Sequence, residues 1–125
     1  MTELTKAEEQ IMHLLWDMKK AFVKDLLEVL DEPKPAYNTV STIIRTLEKK
    51  GFVGHKSYGN SHQYYPLVDK EEYTKHFMKR VVSNYFGNSV KQLVSFFSRE
   101  EDLSLKEVDE IIKTMQELKK NTHGK

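Results

Sequence analysis

Pro35-Ala36-Tyr37-Asn38-Thr39-Val40-Ser41-Thr42-Ile43-Ile44-Arg45-Thr46-Leu47-Glu48-Lys49-Lys50-Gly51 runs directly into Phe52-Val53-Gly54-His55-Lys56-Ser57-Tyr58, Gly59-Asn60-Ser61 and His62-Gln63-Tyr64-Tyr65-Pro66. Residue preference argues against a helix in the first part, because Thr39, Val40, Thr42, Ile43, Ile44 and Thr46 are β-branched. Periodicity argues for one: Val40, Ile43, Ile44 and Leu47 recur at helical spacing. Periodicity decides, and a helix is expected over residues 36–50, stopped by Gly51. Gly59-Asn60 reads as a two-residue hairpin turn, which pairs Tyr58 with Ser61, Ser57 with His62 and His55 with Tyr64. Lys56, Tyr58 and Gln63 then share one face of the hairpin, and His55 and His62 lie on the other. A polar-faced helix followed by a basic hairpin is the layout of a winged helix-turn-helix, which sets the helix in the DNA major groove and the hairpin on flanking backbone.

The charge distribution supports that reading better than the total does. Net charge is +1, yet residues 1–33 carry four lysines against eight acids. Residues 34–66 carry Lys34, Arg45, Lys49, Lys50 and Lys56 against Glu48 alone, so the positive block coincides with the helix and hairpin. Opposite the apolar stripe, the helix presents short polar donors and two long cations. The DNA-facing set is therefore Tyr37, Asn38, Thr39, Ser41, Thr42, Arg45, Thr46 and Lys49, joined by Lys56 and Tyr58 from the wing. Within it, Thr42 and Arg45 are expected at base edges, and Lys49 and Lys56 at phosphate.

Outward from this segment the chain reads as helices. Thr5 and Glu8 form a capping box before the apolar positions Ala7, Ile11, Leu14, Leu15 and Met18. Trp16 is expected to pack against a neighbouring helix. Ala21-Phe22-Val23 is expected as a short strand pairing with the hairpin, followed by a helix with Val23, Leu26, Leu27 and Leu30 on one face, ended by Asp31-Glu32-Pro33-Lys34-Pro35. Asp69 and Glu72 open a fourth helix, Gly87-Asn88-Ser89 breaks it, a short fifth helix follows, and Ser104 with Glu107 caps a sixth. Three amphipathic helices beyond a complete winged helix lack a partner in the same chain, so a second copy is expected to cover them. The dimerisation set is Tyr73, Phe77, Val81, Tyr85, Phe96, Phe97, Val108, Ile111, Ile112 and Met115. The division expected is a winged-helix DNA-binding domain over residues 1–68, a helical dimerisation domain over 69–120 and a tail over 121–125, mainly α with a small β-wing.

Other chemistries find little support. The chain has no cysteine, which removes disulfides, thiolate metal sites and thiol nucleophiles and fits a cytoplasmic protein. No apolar run reaches the length of a membrane span. His55 and His62 lack a third ligand, and no metal or cofactor is expected. There is no Gly-rich phosphate loop and no nucleophile with an assigned base, so an enzyme is not expected. The alternative in a different class is a winged-helix module that binds protein or RNA. An exposed protein-binding helix would show apolar residues where this one shows polar donors.

The residues also carry a family resemblance along nearly the whole chain. The motifs are Leu4-Thr5-Lys6-Ala7-Glu8 with Trp16, Ala36-Tyr37-Asn38-Thr39-Val40 with Thr42 and Leu47, Lys50-Gly51-Phe52-Val53, Tyr64-Tyr65-Pro66-Leu67-Val68, Phe86-Gly87 and Asp102-Leu103-Ser104. In order and spacing they resemble the penicillinase-repressor family of bacterial transcription regulators, the BlaI/MecI group. That resemblance implies a homodimeric repressor of palindromic operators, with an N-terminal winged helix and a C-terminal dimerisation domain. It also implies a link to antibiotic resistance or a related stress operon. In β-lactam-responsive members, a membrane sensor-protease pathway ends in a cut at an Asn-Phe bond shortly before the Asp-Leu-Ser motif. The matching position is Phe96-Phe97, where the second residue agrees and the first does not. Copper-responsive relatives carry a C-terminal cysteine cluster, which this chain lacks. Pro35 stands where the family often has Trp.

Overall fold

The computed structural model describes residues 1–99 and 104–123, with the side chains of 115 and 118–123 outside that description. The elements run α1 (Lys6–Met18), α2 (Val23–Val29), α3 (Tyr37–Lys49), β1 (Val53–Tyr58), β2 (Ser61–Pro66), α4 (Lys70–Phe86), α5 (Val90–Arg99) and α6 (Leu105–His123). The chain divides into two compact units, Met1–His76 and Phe77–Lys125.

In the first unit, α1 begins where both halves of the capping box close: Glu8 N–H donates to Thr5 Oγ1 at 3.2 Å and Thr5 N–H to Glu8 Oε1 at 2.8 Å. Its apolar stripe places Ile11, Met12 and Leu15 in the core. The strand expected over residues 21–23 is a single bridge. Ala21 and Tyr64 exchange backbone hydrogen bonds of 2.9 and 2.8 Å, but the Asp25 carboxylate accepts from Phe22 N–H at 2.9 Å and turns the chain into α2 at once. The C-terminus of α2 is closed by Lys34, whose ammonium donates to the carbonyls of Leu27, Glu28 and Leu30 at 2.7, 3.1 and 2.8 Å.

Despite its β-branched content, α3 is a regular helix. Val40, Ile44 and Leu47 are fully buried. Thr42 and Thr46 donate their hydroxyls to the carbonyls of Asn38 and Thr42 four residues back, at 2.9 and 3.0 Å, which satisfies them within the helix. Burial of one complete face outweighs a propensity deficit of a few tenths of a kcal/mol per residue, roughly. Gly51 sits at φ 83, its N–H donates to Glu48 O at 3.0 Å and Phe52 N–H to Leu47 O at 2.9 Å, a Schellman closure. Phe52 and Val53 then enter the core beneath the hairpin.

β1 and β2 pair antiparallel in the expected register, including His55 with Tyr64 and Tyr58 with Ser61. Gly59 supplies φ 61 at the first turn position, as a type II′ turn requires. Trp16 is tied down as expected: its indole N–H donates to Val68 O at 2.9 Å and its ring lies 5.6 Å from Tyr73. In the second unit, α5 and α6 start at Ser89 and Ser104, whose hydroxyls accept from Gln92 N–H at 3.1 Å and Glu107 N–H at 3.2 Å. Helix α6 runs to His123, so Asn121 to His123, expected as tail, are helical; the last two tail residues lie outside the described residues.

Candidate nucleic-acid interface

With Val40, Ile44 and Leu47 turned inward, the opposite side of α3 faces solvent. Tyr37, Asn38, Thr39, Thr42, Arg45 and Lys49 are exposed, and Ser41 and Thr46 are half-buried. No side chain caps the helix N-terminus at Ala36. Arg45 lies back along its own helix: Nε donates to Ser41 O at 3.3 Å and Nη2 approaches Thr42 Oγ1 at 3.5 Å. These contacts orient the guanidinium and leave donors of the fork for a ligand. Thr42, expected at a base edge with Arg45, is thus its immediate neighbour.

The five cations of the basic block do not share one surface. Lys34 is spent on the carbonyls ending α2. Lys50 points toward α1, meeting Glu8 Oε1 at 2.7 Å and Glu3 O at 3.3 Å. Glu8 is 6% exposed. Its burial by itself raises the carboxyl pKa, but hydrogen bonds from Lys50 and from Thr5, with the lysine charge, hold it below its ordinary value. Arg45, Lys49 and Lys56 remain on the outside.

The wing has two different faces. Lys56, Tyr58 and Gln63 share one, with the Lys56 ammonium 5.4 Å from the centre of the Tyr58 ring and that ring 5.9 Å from Phe22. His55, Ser57, His62 and Tyr64 share the other, the one that meets α3: His55 Nδ1 lies 2.5 Å from Glu48 Oε2. The rings of His55 and His62 are 4.3 Å apart, and His62 Nδ1 is 3.1 Å from Ser57 Oγ. Burial, and then the Glu48 charge, push the Tyr64 phenol up, with Arg45 acting against them. From sequence, His55 and His62 are not a metal site, because a third ligand is lacking. The spacing signal was present, since Gly51 folds the hairpin back onto the last turn of α3, the turn that carries Glu48.

The expected dimerisation residues divide. Tyr73 does not belong with them. It is 4% exposed in the core of the first unit, 5.9 Å from Phe52 by ring centres, and its hydroxyl donates to Glu9 Oε2 at 2.7 Å. The α4 stripe was read as continuous, but its first turn packs under the winged helix. In the second unit, Phe77, Tyr85, Phe96, Phe97 and Ile112 are 39, 77, 41, 40 and 45% exposed, and Val81, Val108 and Ile111 are half-buried. The Met115 side chain lies outside the described residues. Phe96 and Phe97 sit near the end of α5, with Phe96 5.7 Å from Phe86. Among the described residues, no hydrophobic side chain of this unit is fully buried, no group of three or more His, Asp or Glu is placed to hold a metal, and no helix is long and apolar enough to cross a membrane.

Comparison with known proteins is consistent with this geometry. A family model described as penicillinase repressor matches residues 4–117. The methicillin resistance regulatory protein MecI of Staphylococcus aureus (strain N315) is 30% identical over 110 residues, covering 87% of this chain and 89% of the relative. A penicillinase repressor of Bacillus licheniformis is 21% identical over 118 residues, 94% of this chain and 92% of the relative. The solution structure of the DNA binding domain of the repressor BlaI superposes with a TM-score of 0.50 at 24% identity, covering 57% of this chain and 88% of that one. That likeness shows the winged-helix fold of the first unit.

Proposed function

The chain belongs to the penicillinase repressor family, and from that premise we propose that it is a cytoplasmic, non-enzymatic transcriptional repressor that binds a pseudo-palindromic duplex operator as a homodimer. The observation that carries the reading is the polar side of α3, with Arg45 and Lys49 exposed opposite the buried Val40, Ile44 and Leu47. Arg45 and Thr42 read base edges in the major groove, with Tyr37, Asn38, Thr39, Ser41 and Thr46 completing the contact surface. Lys49 and, on the wing, Lys56 and Tyr58 hold the backbone. The second unit supplies the dimer contact. Its exposed Phe77, Tyr85, Phe96, Phe97 and Ile112, together with Val81, Val108 and Ile111, form apolar helix faces that a second copy would cover, and Met115 joins the set from its place in the sequence alone. The regulated genes belong to a β-lactam-resistance or related stress operon. Induction by a sensor-protease pathway would act at Phe96-Phe97 and detach α6, which weakens the dimer and with it the linked binding of two half-sites.

Salt dependence tests duplex binding against the reading in which the winged helix binds protein or RNA. Lys49 and Lys56 from each of two protomers give a slope of log K against log salt of about −4 on duplex DNA. Tighter binding to RNA or to a protein, with no such slope on duplex, would establish the other reading.

A further inference from the structure

His55 and His62 are the titratable cluster that the operator reading leaves unused, and their geometry gives them a role that rests on that reading. Their ring centres lie 4.3 Å apart, tilted at 44°, on the wing face that meets α3, and both are exposed. A carboxylate can only accept, so the His55 nitrogen 2.5 Å from Glu48 carries a hydrogen. Neutral His55 therefore carries a lone pair on Nε2, and a phosphate oxygen, itself an acceptor, gains nothing from meeting it. Protonation turns Nε2 into a charged donor while the Glu48 contact is kept. The Ser57 hydroxyl beside His62 Nδ1, at 3.1 Å, can donate or accept and so tolerates either state of that ring.

We infer that the His55–His62 pair is a proton-dependent phosphodiester site on the wing, so that binding duplex DNA takes up a proton. The groups facing the pair set its behaviour. Glu48 of α3 faces His55, its carboxylate accepting from Nδ1. Tyr64 of β2 lies 5.7 Å from His55 and 6.3 Å from His62, and within its electrostatic reach are Arg45 and Tyr37 of α3. Lys56 follows His55 in the chain but belongs to the opposite wing face. Two imidazolium rings this close repel each other, and a phosphate backbone relieves that repulsion. A phosphate backbone laid over the pair thus favours its protonated form.

The test is the affinity of the full chain for a fluorescein-labelled random-sequence duplex about three helical turns long, at constant ionic strength across pH. Linkage gives a rise in affinity of about threefold to tenfold per unit as pH falls from about 8 to about 6, the upper figure corresponding to one proton taken up per complex. His55→Gln/His62→Gln loses most of that slope and still binds at the alkaline end, whereas His13→Gln keeps it. In NMR titrations the midpoints of His55 and His62 move upward when the duplex is added. The same slope in the double variant, or no slope in the parent, overturns the inference and leaves operator binding standing. Absence of duplex binding at every pH overturns both.

Discussion

Arg45 and Lys56 are proposed to make different kinds of contact with a duplex. Arg45 is braced by Ser41 O and Thr42 Oγ1 on the exposed side of α3, so its fork is directed before any ligand arrives. Arg45→Ala is expected to cost about 1–3 kcal/mol on the preferred sequence and to relax preference at the base it reads. Lys56, on the wing over Tyr58, is expected to act on phosphate, so Lys56→Ala weakens all duplexes alike and reduces the salt slope of the dimer by about 2, one contact per protomer. Equilibrium binding to matched and mismatched duplexes separates the two, and an Arg45→Ala protein that discriminates as the parent does would show that another face of α3 reads bases. At this scale the sequence was only partly legible. Periodicity identifies which α3 residues point outward, because one face must be buried. It cannot show that Lys34 and Lys50 turn inward, since a lysine stem reaches whatever acceptors the fold brings near, here the α2 carbonyls and Glu8.

Elements were legible where local chemistry closes them and obscure where distant packing does. The Thr5–Glu8 box, the stop at Gly51 and the turn at Gly59-Asn60 depend on neighbours in sequence, and each stands as read. The strand over residues 21–23 was over-read because Asp25, two residues beyond, captures Phe22 N–H and starts a helix. Tyr73 was misplaced because nothing in the α4 stripe reveals that Trp16 and Phe52 wait beneath its first turn. The contact between α1 and the end of α3 gives the fold an acid-sensitive joint. The Glu8 carboxyl has a folded pKa below its ordinary 4.5, so its stabilising contribution is complete above the unfolded value and is lost as pH falls through the folded one. Lys50→Ala should therefore destabilise the protein by about 1–3 kcal/mol near neutrality, by leaving the buried Glu8 short of a partner. Thermal denaturation is expected to show the gap between parent and variant narrowing below pH 4.5. A gap unchanged across that range would mean that the Glu8–Lys50 pair contributes nothing to stability.

In the whole molecule, the proposed reading head lies in the first unit and the apolar helix faces in the second. The first unit has a core of its own, from Leu4 to Tyr73, whereas the described hydrophobic side chains of Phe77–Lys125 are at most half-buried. That contrast is the physical reason a second copy is proposed, and in the sequence it corresponds to three apolar stripes. What the stripes could not show is where the winged-helix core ends, because Tyr73 extends it into α4. A two-fold dimer with one reading head per chain demands two half-sites whose centres lie about one helical turn, or a multiple, apart. Footprinting on a duplex selected by the protein from a random pool tests this most directly. We expect two protected half-sites related by a pseudo-dyad. Protection should collapse toward that of an isolated half-site when about half a turn is inserted between them, and equally when Ile112→Asp sets a charge in the proposed dimer contact. Protection of one half-site, indifferent to spacing and unchanged by Ile112→Asp, would contradict the account.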